Sequence, residues 1–223
     1  DPRPRGTTRQ CRERSRASQP PAPHPPPPPT TAPPHGPPVV VPVYGSGRPI
    51  AMMEHPDRAM NTATQRELAA TFRTAHADGT AGPLVLPNSW DAASTIVYEL
   101  AGFAAVGTSS AGVAASLGVP DGERLSRREM LAVVERIANS VDLPVSADME
   151  AGYGDDPDTV ATTARKTIEA GAVGINLEDG RDDPAEPLLE TAQHAAKIRA
   201  ARDAATAADV PLVINGRTDV FWR

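Results

Sequence analysis

Two carboxylates, Asp148 and Glu150, stand two residues apart in the stretch Ser146-Ala147-Asp148-Met149-Glu150-Ala151-Gly152-Tyr153-Gly154. The run Val141-Asp142-Leu143-Pro144-Val145 ahead of it reads as a buried parallel strand. Asp156-Pro157 behind it reads as an N-cap with proline at the first helical position. Side chains two apart on a strand point the same way, so both acids are expected to face one site. The glycines Gly152 and Gly154 let the next loop bend close to whatever occupies that site. The plainer alternative is a solvated acidic turn.

Further polar residues gather where other strands are expected to end. They are Asn88 and Asp91, then Ser109 and Ser110, Asp121 in a loop beyond, Glu178 and Asp179, and finally Asn215 and Arg217. Acids converging on one pocket repel one another. A pair about 4 Å apart costs on the order of 4 kcal/mol at an effective dielectric near 20. Either some are protonated or a cation sits among them. Carboxylates without imidazole or thiolate neighbours favour a hard ion, magnesium with manganese as an option. Such an ion together with Arg217 suits a 2-oxo acid held by its carboxylate and keto oxygens, and would stabilise the enolate left when a neighbouring bond breaks.

What is missing narrows the chemistry. Lys166 and Lys197 fall on expected helices, so no lysine ends a strand to form a Schiff base. His24, His35, His55, His76 and His194 all lie away from strand ends, with His194 expected on a helix surface. That argues against a zinc site with histidine ligands and against a serine hydrolase. The single cysteine, Cys11, leaves no disulfide framework.

The elements that must position these residues alternate. A capping box, Thr64 to Glu67, opens a first helix. Strands are expected at 84–87, 104–108, 141–148, 174–177 and 212–215. Helices are expected from about 91 to 102, 126 to 138, 157 to 170 and 188 to 208, with a long loop from 109 to 125. Strand–helix alternation with short connections implies a parallel sheet with right-handed crossovers, either doubly wound or a barrel. No Gly-rich dinucleotide fingerprint or phosphate loop is present. Site residues drawn from many strands suit an α/β fold of the (β/α)8 TIM-barrel type. Such barrels run to about 250 residues, so the chain is expected to be truncated after the fifth strand.

Residues 1 to about 60 form a different text, holding most of the 25 prolines and rich in arginine. This segment is expected to be a disordered or polyproline-like tail ahead of a partial barrel over 61–223. It reads as functionally silent, as a targeting segment, or as a ligand for a proline-binding module. The net charge of −6 argues against nucleic acid, and no apolar run reaches membrane-spanning length. A cytoplasmic protein is the expectation.

These motifs resemble those of the isocitrate lyase/phosphoenolpyruvate mutase superfamily. The resemblance covers about residues 80–220 and rests on Pro87-Asn88-Ser89-Trp90-Asp91, Thr108-Ser109-Ser110-Ala111-Gly112, Gly118-Val119-Pro120-Asp121-Gly122, the Asp148 to Gly154 stretch, Asn176-Leu177-Glu178-Asp179 and Arg217-Thr218-Asp219. It implies an eight-stranded barrel, usually tetrameric, that makes or breaks C–C or P–C bonds next to a 2-oxo acid. By resemblance Asp148 binds magnesium directly, while Asp121, Glu150 and Glu178 act through metal-bound waters. Ser109, Ser110 and Ala111 correspond to the segment whose amides hold substrate, and Arg217 to the arginine on its carboxylate. Asp121 and Arg217 are thus the candidate catalytic groups and Asp148, Glu150 and Glu178 the candidate metal set. The substrate would be a small 2-oxo acid or phosphonate, and the full barrel a homo-oligomer. The isocitrate-cleaving members carry a Lys-Cys-Gly loop after the fourth strand. Here that region reads Gly180-Arg181-Asp182-Asp183-Pro184-Ala185-Glu186, which points to the phosphonomutase-like branch. A non-catalytic barrel fragment is the competing expectation, and an adapter acting through the tail a third.

Overall fold

The computed structural model describes residues 62–77 and 82–221, all within the compact unit Ser46–Arg223. The proline-rich tail and three of the histidines (His24, His35, His55) lie outside the described residues. In chain order the elements are α1 (Thr62–Ala77), β1 (Asn88–Ser89), α2 (Ala92–Leu100), β2 (Val106–Thr108), α3 (Ser110–Ser116), α4 (Arg127–Ala138), β3 (Val145–Asp148), α5 (Pro157–Glu169), β4 (Gly174–Glu178), α6 (Thr191–Ala207) and β5 (Val213–Arg217).

All four strand pairings are parallel, and the sheet order is β1-β2-β3-β4-β5. Each strand lies beside its predecessor, so the chain never reverses direction of travel across the sheet. A doubly wound fold requires such a reversal. Sequential winding is that of an arc of a (β/α) barrel, with the site at the C-terminal ends of the strands.

Local chemistry explains where the helices begin. Ser126 accepts the Glu129 N–H at 3.3 Å while Glu129 accepts the Ser126 N–H at 3.0 Å, a reciprocal capping box at α4. Asp156 caps α5 by accepting the Thr159 N–H at 2.9 Å, with Pro157 as its first residue. Gly171 follows α5 at φ 94°. The inner stripe of α4 is Met130, Val134 and Ile137, all fully buried, with Val133 on the flank.

One buried cluster joins Met130 and Val134 to Val160, Ala164, Ile175 and Leu177, tying α4 and α5 to the sheet; a second joins Val106, Ile137, Val141 and Val145. α1 lies across the N-terminal end of β4. Gln65 there donates to the carbonyls of Ile168 and Ala172 at 2.7 and 3.0 Å, and Phe72 packs against Gly174.

Several expectations need correction. Residues 84–87 form no strand; the paired segment is Asn88–Ser89, immediately after them. α1 begins at Thr62, so Thr64 sits inside its first turn rather than capping it. The expected loop after β2 contains α3, whose small residues Ser, Ala and Gly carry little apolar periodicity. β3 is only Val145–Asp148, so Glu150 lies beyond the strand at φ 52° and the two-residue alternation does not apply to it.

Candidate active site

Asp148 is the last residue of β3, and its carboxylate is held from three sides. Its Oδ2 accepts the Ser110 N–H at 3.1 Å and the Ser110 hydroxyl at 2.9 Å. Its Oδ1 accepts from Asn176 Nδ2 at 3.1 Å, and Asn176 Oδ1 in turn accepts from Asn215 Nδ2 at 2.6 Å. Asp148, Asn176 and Asn215 are register partners on β3, β4 and β5. Parallel pairing alone therefore lines up this polar row. The Asp148 N–H donates to Thr108 Oγ1 at 2.8 Å, tying the same residue back to β2.

Glu150 reaches the site by a turn. Its own N–H lies 3.4 Å from Asp148 Oδ1. Its Oε2 accepts the Glu123 N–H at 2.5 Å, and Glu123 Oε1 accepts the Tyr153 N–H at 2.7 Å. Glu123, Glu150 and Tyr153 all have positive φ, at 56°, 52° and 62°. Residues other than glycine rarely adopt this region, and such strain concentrates at functional sites. The three are held there by one another's hydrogen bonds.

A cavity of about 460 Å³ opens over these residues, lined among others by Asp121, Glu123, Glu150, Asp155, Glu178 and Arg181. Glu150 is 5% exposed. Burial, then the charges of Asp121, Glu123 and Asp148, push its carboxyl up to about 7, against the hydrogen bond from Glu123. Burial likewise raises the pKa of Glu123, opposed by its bond to the Tyr153 N–H and by the charge of Lys197. Tyr153 is raised as well, first by burial and then by the same acids.

Arg217 lies opposite Glu178 in the β4–β5 register. Its Nη2 sits 2.8 Å from Glu178 Oε2 and its Nε donates to Asp219 Oδ1 at 2.8 Å. Burial works against the guanidinium charge, but Glu178 and Asp219 together raise its pKa.

The structure thus brings Asp121, Glu150 and Glu178 to one cavity, with Asp148 beside Glu150 and Arg217 paired to Glu178. It does not place every expected residue there. Asp91 caps α2, accepting the Ser94 N–H at 2.7 Å. Asp179 accepts the Asp219 N–H at 2.8 Å. Ser109 caps α3 through its hydroxyl, and the Ser110 amide is spent on Asp148 rather than turned to a substrate; Ala111 is an exposed residue of α3. His194 is half-buried rather than on the surface, and burial lowers its pKa. Glu123 was not expected at the site. Glu123 directly follows the Gly118–Gly122 motif, and adjacency to it was the only available signal.

Among the described residues no three of His, Cys, Asp and Glu converge tightly enough to form a ready-made cage. The donor set nevertheless fits a hard divalent ion that keeps several waters. Only oxygen ligands are offered, and the Glu150 carboxyl, raised to about 7 first by burial and then by the charges of Asp121, Glu123 and Asp148, stands in a cluster to which a cation would bring positive charge.

Comparison with known proteins identifies the family and fold of the chain. The family model described as phosphoenolpyruvate phosphomutase matches residues 72–223. An uncharacterised protein of Mycobacterium tuberculosis (strain ATCC 25618 / H37Rv) is 38% identical, the match covering 68% of this chain and 54% of that protein. The 2-methylisocitrate lyase of Escherichia coli (strain K12) is 33% identical, over 62% of this chain and 49% of the lyase. A crystal structure from Burkholderia cenocepacia J2315, provisionally assigned as a phosphonomutase, superposes with a TM-score of 0.66 at 44% identity, covering 71% of this chain and 62% of that one. The chain spans about half the length of the first two relatives. Solved members of the wider group include 2,3-dimethylmalate lyase, at a TM-score of 0.62 and 30% identity over 71% of this chain and 54% of that one. The chain belongs to the phosphoenolpyruvate phosphomutase family, within the phosphoenolpyruvate mutase/isocitrate lyase superfamily of lyases and mutases.

Proposed function

We propose that this chain carries the site of a magnesium-dependent lyase or mutase acting on a small 2-oxo acid or phosphonate, with manganese able to substitute. The bond broken or formed is C–C or P–C, next to the oxo group, and the reaction passes through an enolate. The observation that carries this reading is the buried Glu150 carboxyl, pushed up to about 7 inside a cavity shared with Asp121 and Glu178.

Each residue has a task in that reading. Asp148, oriented by Ser110 and Asn176, is the direct ligand, and Asp121, Glu150 and Glu178 hold the ion's waters. When bound, the ion would supply positive charge at the oxygens of a 2-oxo acid and favour the enolate form. Arg217, anchored by Asp219, presents its remaining donors to a substrate carboxylate. Asp121 is exposed at the cavity mouth, where it can respond to substrate entry. The 180–186 loop lacks the lysine and cysteine of the isocitrate-cleaving members, so we assign the chain to the phosphonomutase-like branch. A homo-oligomeric, cytoplasmic protein fits this reading; among the described residues no helix is long and apolar enough to cross a membrane.

Oxalate, a planar mimic of enolpyruvate, tests the proposal. Its binding should require magnesium and disappear in Asp148→Ala; binding that survives the substitution would end this account.

A second reading, a non-catalytic barrel fragment, is favoured by two observations. The outer strands β1 and β5 have one pairing partner each among the described residues, and Val97 and Leu100 on α2 are 60% and 57% exposed. Aggregation and a broad thermal transition of the purified chain would support it; a sharp melt in a discrete oligomer would count against it.

A further inference from the structure

Arg66 and Arg73 stand seven residues apart on α1, about two turns, and so share one face of that helix. Arg202 on α6 and Asp209 just beyond its end have the same spacing. All four line a cavity of about 560 Å³, together with the small side chains of Ala70 and Ala205 and the turn at Val210 and Pro211. That turn leads into the N-terminal end of β5, so the cavity lies at the opposite end of the sheet from the acid cluster.

The arginines are not equivalent. Arg66 is already used: its guanidinium forms an ion pair with Asp209, and its Nε donates to the Asp209 carbonyl at 2.7 Å. Arg202 is exposed, but its Nη1 reaches in to donate to the Leu212 carbonyl at 2.5 Å, which fixes the head group. Arg73 has no ion pair or hydrogen bond among the described residues. Burial, and then the charge of Arg73, lower the pKa of Arg202, so these two cations repel each other. The Thr206 hydroxyl in the same wall already donates to the Arg202 carbonyl at 2.9 Å. A chain of net charge −6 thus gathers three guanidiniums around one carboxylate, and that carboxylate belongs to Arg66. Like charges held side by side favour an anion between them.

We propose that this cavity binds a small phosphate monoester, whose dianionic head is clasped by the Arg73 and Arg202 guanidiniums and whose organic part lies over Ala70 and Ala205. Two facts choose this ligand class. Two uncompensated forks match a dianion with several acceptor oxygens, which a phosphate offers and a single carboxylate does not. A bare phosphate would fill only a small part of about 560 Å³, a volume in the range of small-molecule sites. An extended polyanion such as nucleic acid is disfavoured by the net negative charge of the chain. The site shares no residue with the candidate active-site cavity, and the inference stands apart from the proposed function.

The test titrates the full chain with glycerol 3-phosphate, without divalent ions, at about pH 8 and constant ionic strength, where the phosphate is a dianion. Amide shifts are read by NMR. Binding should saturate with a dissociation constant on the order of 1 mM or below, with the shifts centred on Arg73 and the 210–212 turn. Inorganic phosphate should bind more weakly than the ester. Arg73→Gln should weaken ester binding at least about tenfold, while its Tm without ligand stays at or above that of the parent because a like-charge contact is relieved. Asp209→Asn keeps a residue type that tolerates the φ of 56° found there, yet frees the Arg66 guanidinium and removes the competing carboxylate. It should tighten binding about threefold or more. No saturable binding by the parent, R73Q binding as well as the parent, or weaker binding by D209N would overturn the proposal. So would an ester bound no better than inorganic phosphate, or a lowered Tm in R73Q, which would make Arg73 a residue that docks α1. None of these readouts depends on magnesium or on the acid cluster, so failure here and failure of the proposed function stay distinct.

Discussion

Replacing Glu150 by glutamine removes one negative charge from the buried acid cluster while keeping the side chain's shape and an oxygen for the Glu123 N–H. In the folded protein the Glu150 carboxyl stands at about 7 against the usual 4.5, with burial the first cause and Asp121, Glu123 and Asp148 behind it. That gap corresponds to about 3 kcal/mol. The direction follows from which state holds the proton. An unfolded chain releases it near 4.5, whereas the folded chain keeps it to about 7. The contribution is therefore fully present below 4.5 and is lost as pH rises through 7. Glutamine behaves like the permanently protonated acid. Urea titrations in the absence of divalent ions should thus find parent and E150Q equally stable near pH 4.5, with E150Q more stable by about 3 kcal/mol near pH 8. Glu123, also raised, gives both proteins a common residual slope, so the difference between them is the quantity to read. Saturating magnesium should close the gap at high pH by stabilising the parent through binding. Parallel stability curves across the whole range would show that Glu150 is not held in an acid cluster, and the reasoning would fail with it.

Other perturbations probe separate parts of the account. Gly152 sits at φ 92°, where a Cβ would meet Val160 and Leu177 side chains at 3.1 and 3.2 Å, so Gly152→Ala should cost about 1–3 kcal/mol, read as a lowered Tm. Asn176→Leu removes the amide that holds Asp148 Oδ1 and should weaken magnesium-dependent oxalate binding about tenfold or more while the melt stays cooperative. Met130→Ala empties a fully buried position between α4 and the core and should cost about 2–5 kcal/mol in urea denaturation, with oxalate binding by the folded fraction unchanged.

What could be read in advance, and what could not, follows physical lines. Ser126 with Glu129 and Asp156 with Pro157 mark helix starts because capping is a local interaction between residues three apart. The alternation of strands and helices likewise carries the parallel sheet, but sheet order is a long-range property, and only the pairing of each strand with its predecessor separates the barrel from the doubly wound alternative. β1 was misplaced because Leu84, Val85 and Leu86 have strand-like side chains, whereas pairing begins only at Asn88. α3 was hidden because six of its seven residues are Ser, Ala or Gly and carry little periodicity. Among site residues, Asp148, Glu178 and Arg217 stand in strands and were legible from position. Glu150 reaches the same cavity through a left-handed turn that alternation cannot describe. Lys197 lies on a helix as expected, but its burial depends on what folds over that helix, and nothing in α6 itself records it.

Titration of the chain with manganese, followed by electron paramagnetic resonance, tests the shared-cation claim most directly. The account predicts one site per chain that magnesium displaces, whose occupation shifts the Glu150 carboxyl downward, and which is lost in Asp148→Ala while the thermal melt is retained. Manganese bound equally well by that variant, or no binding by the folded parent, would contradict it.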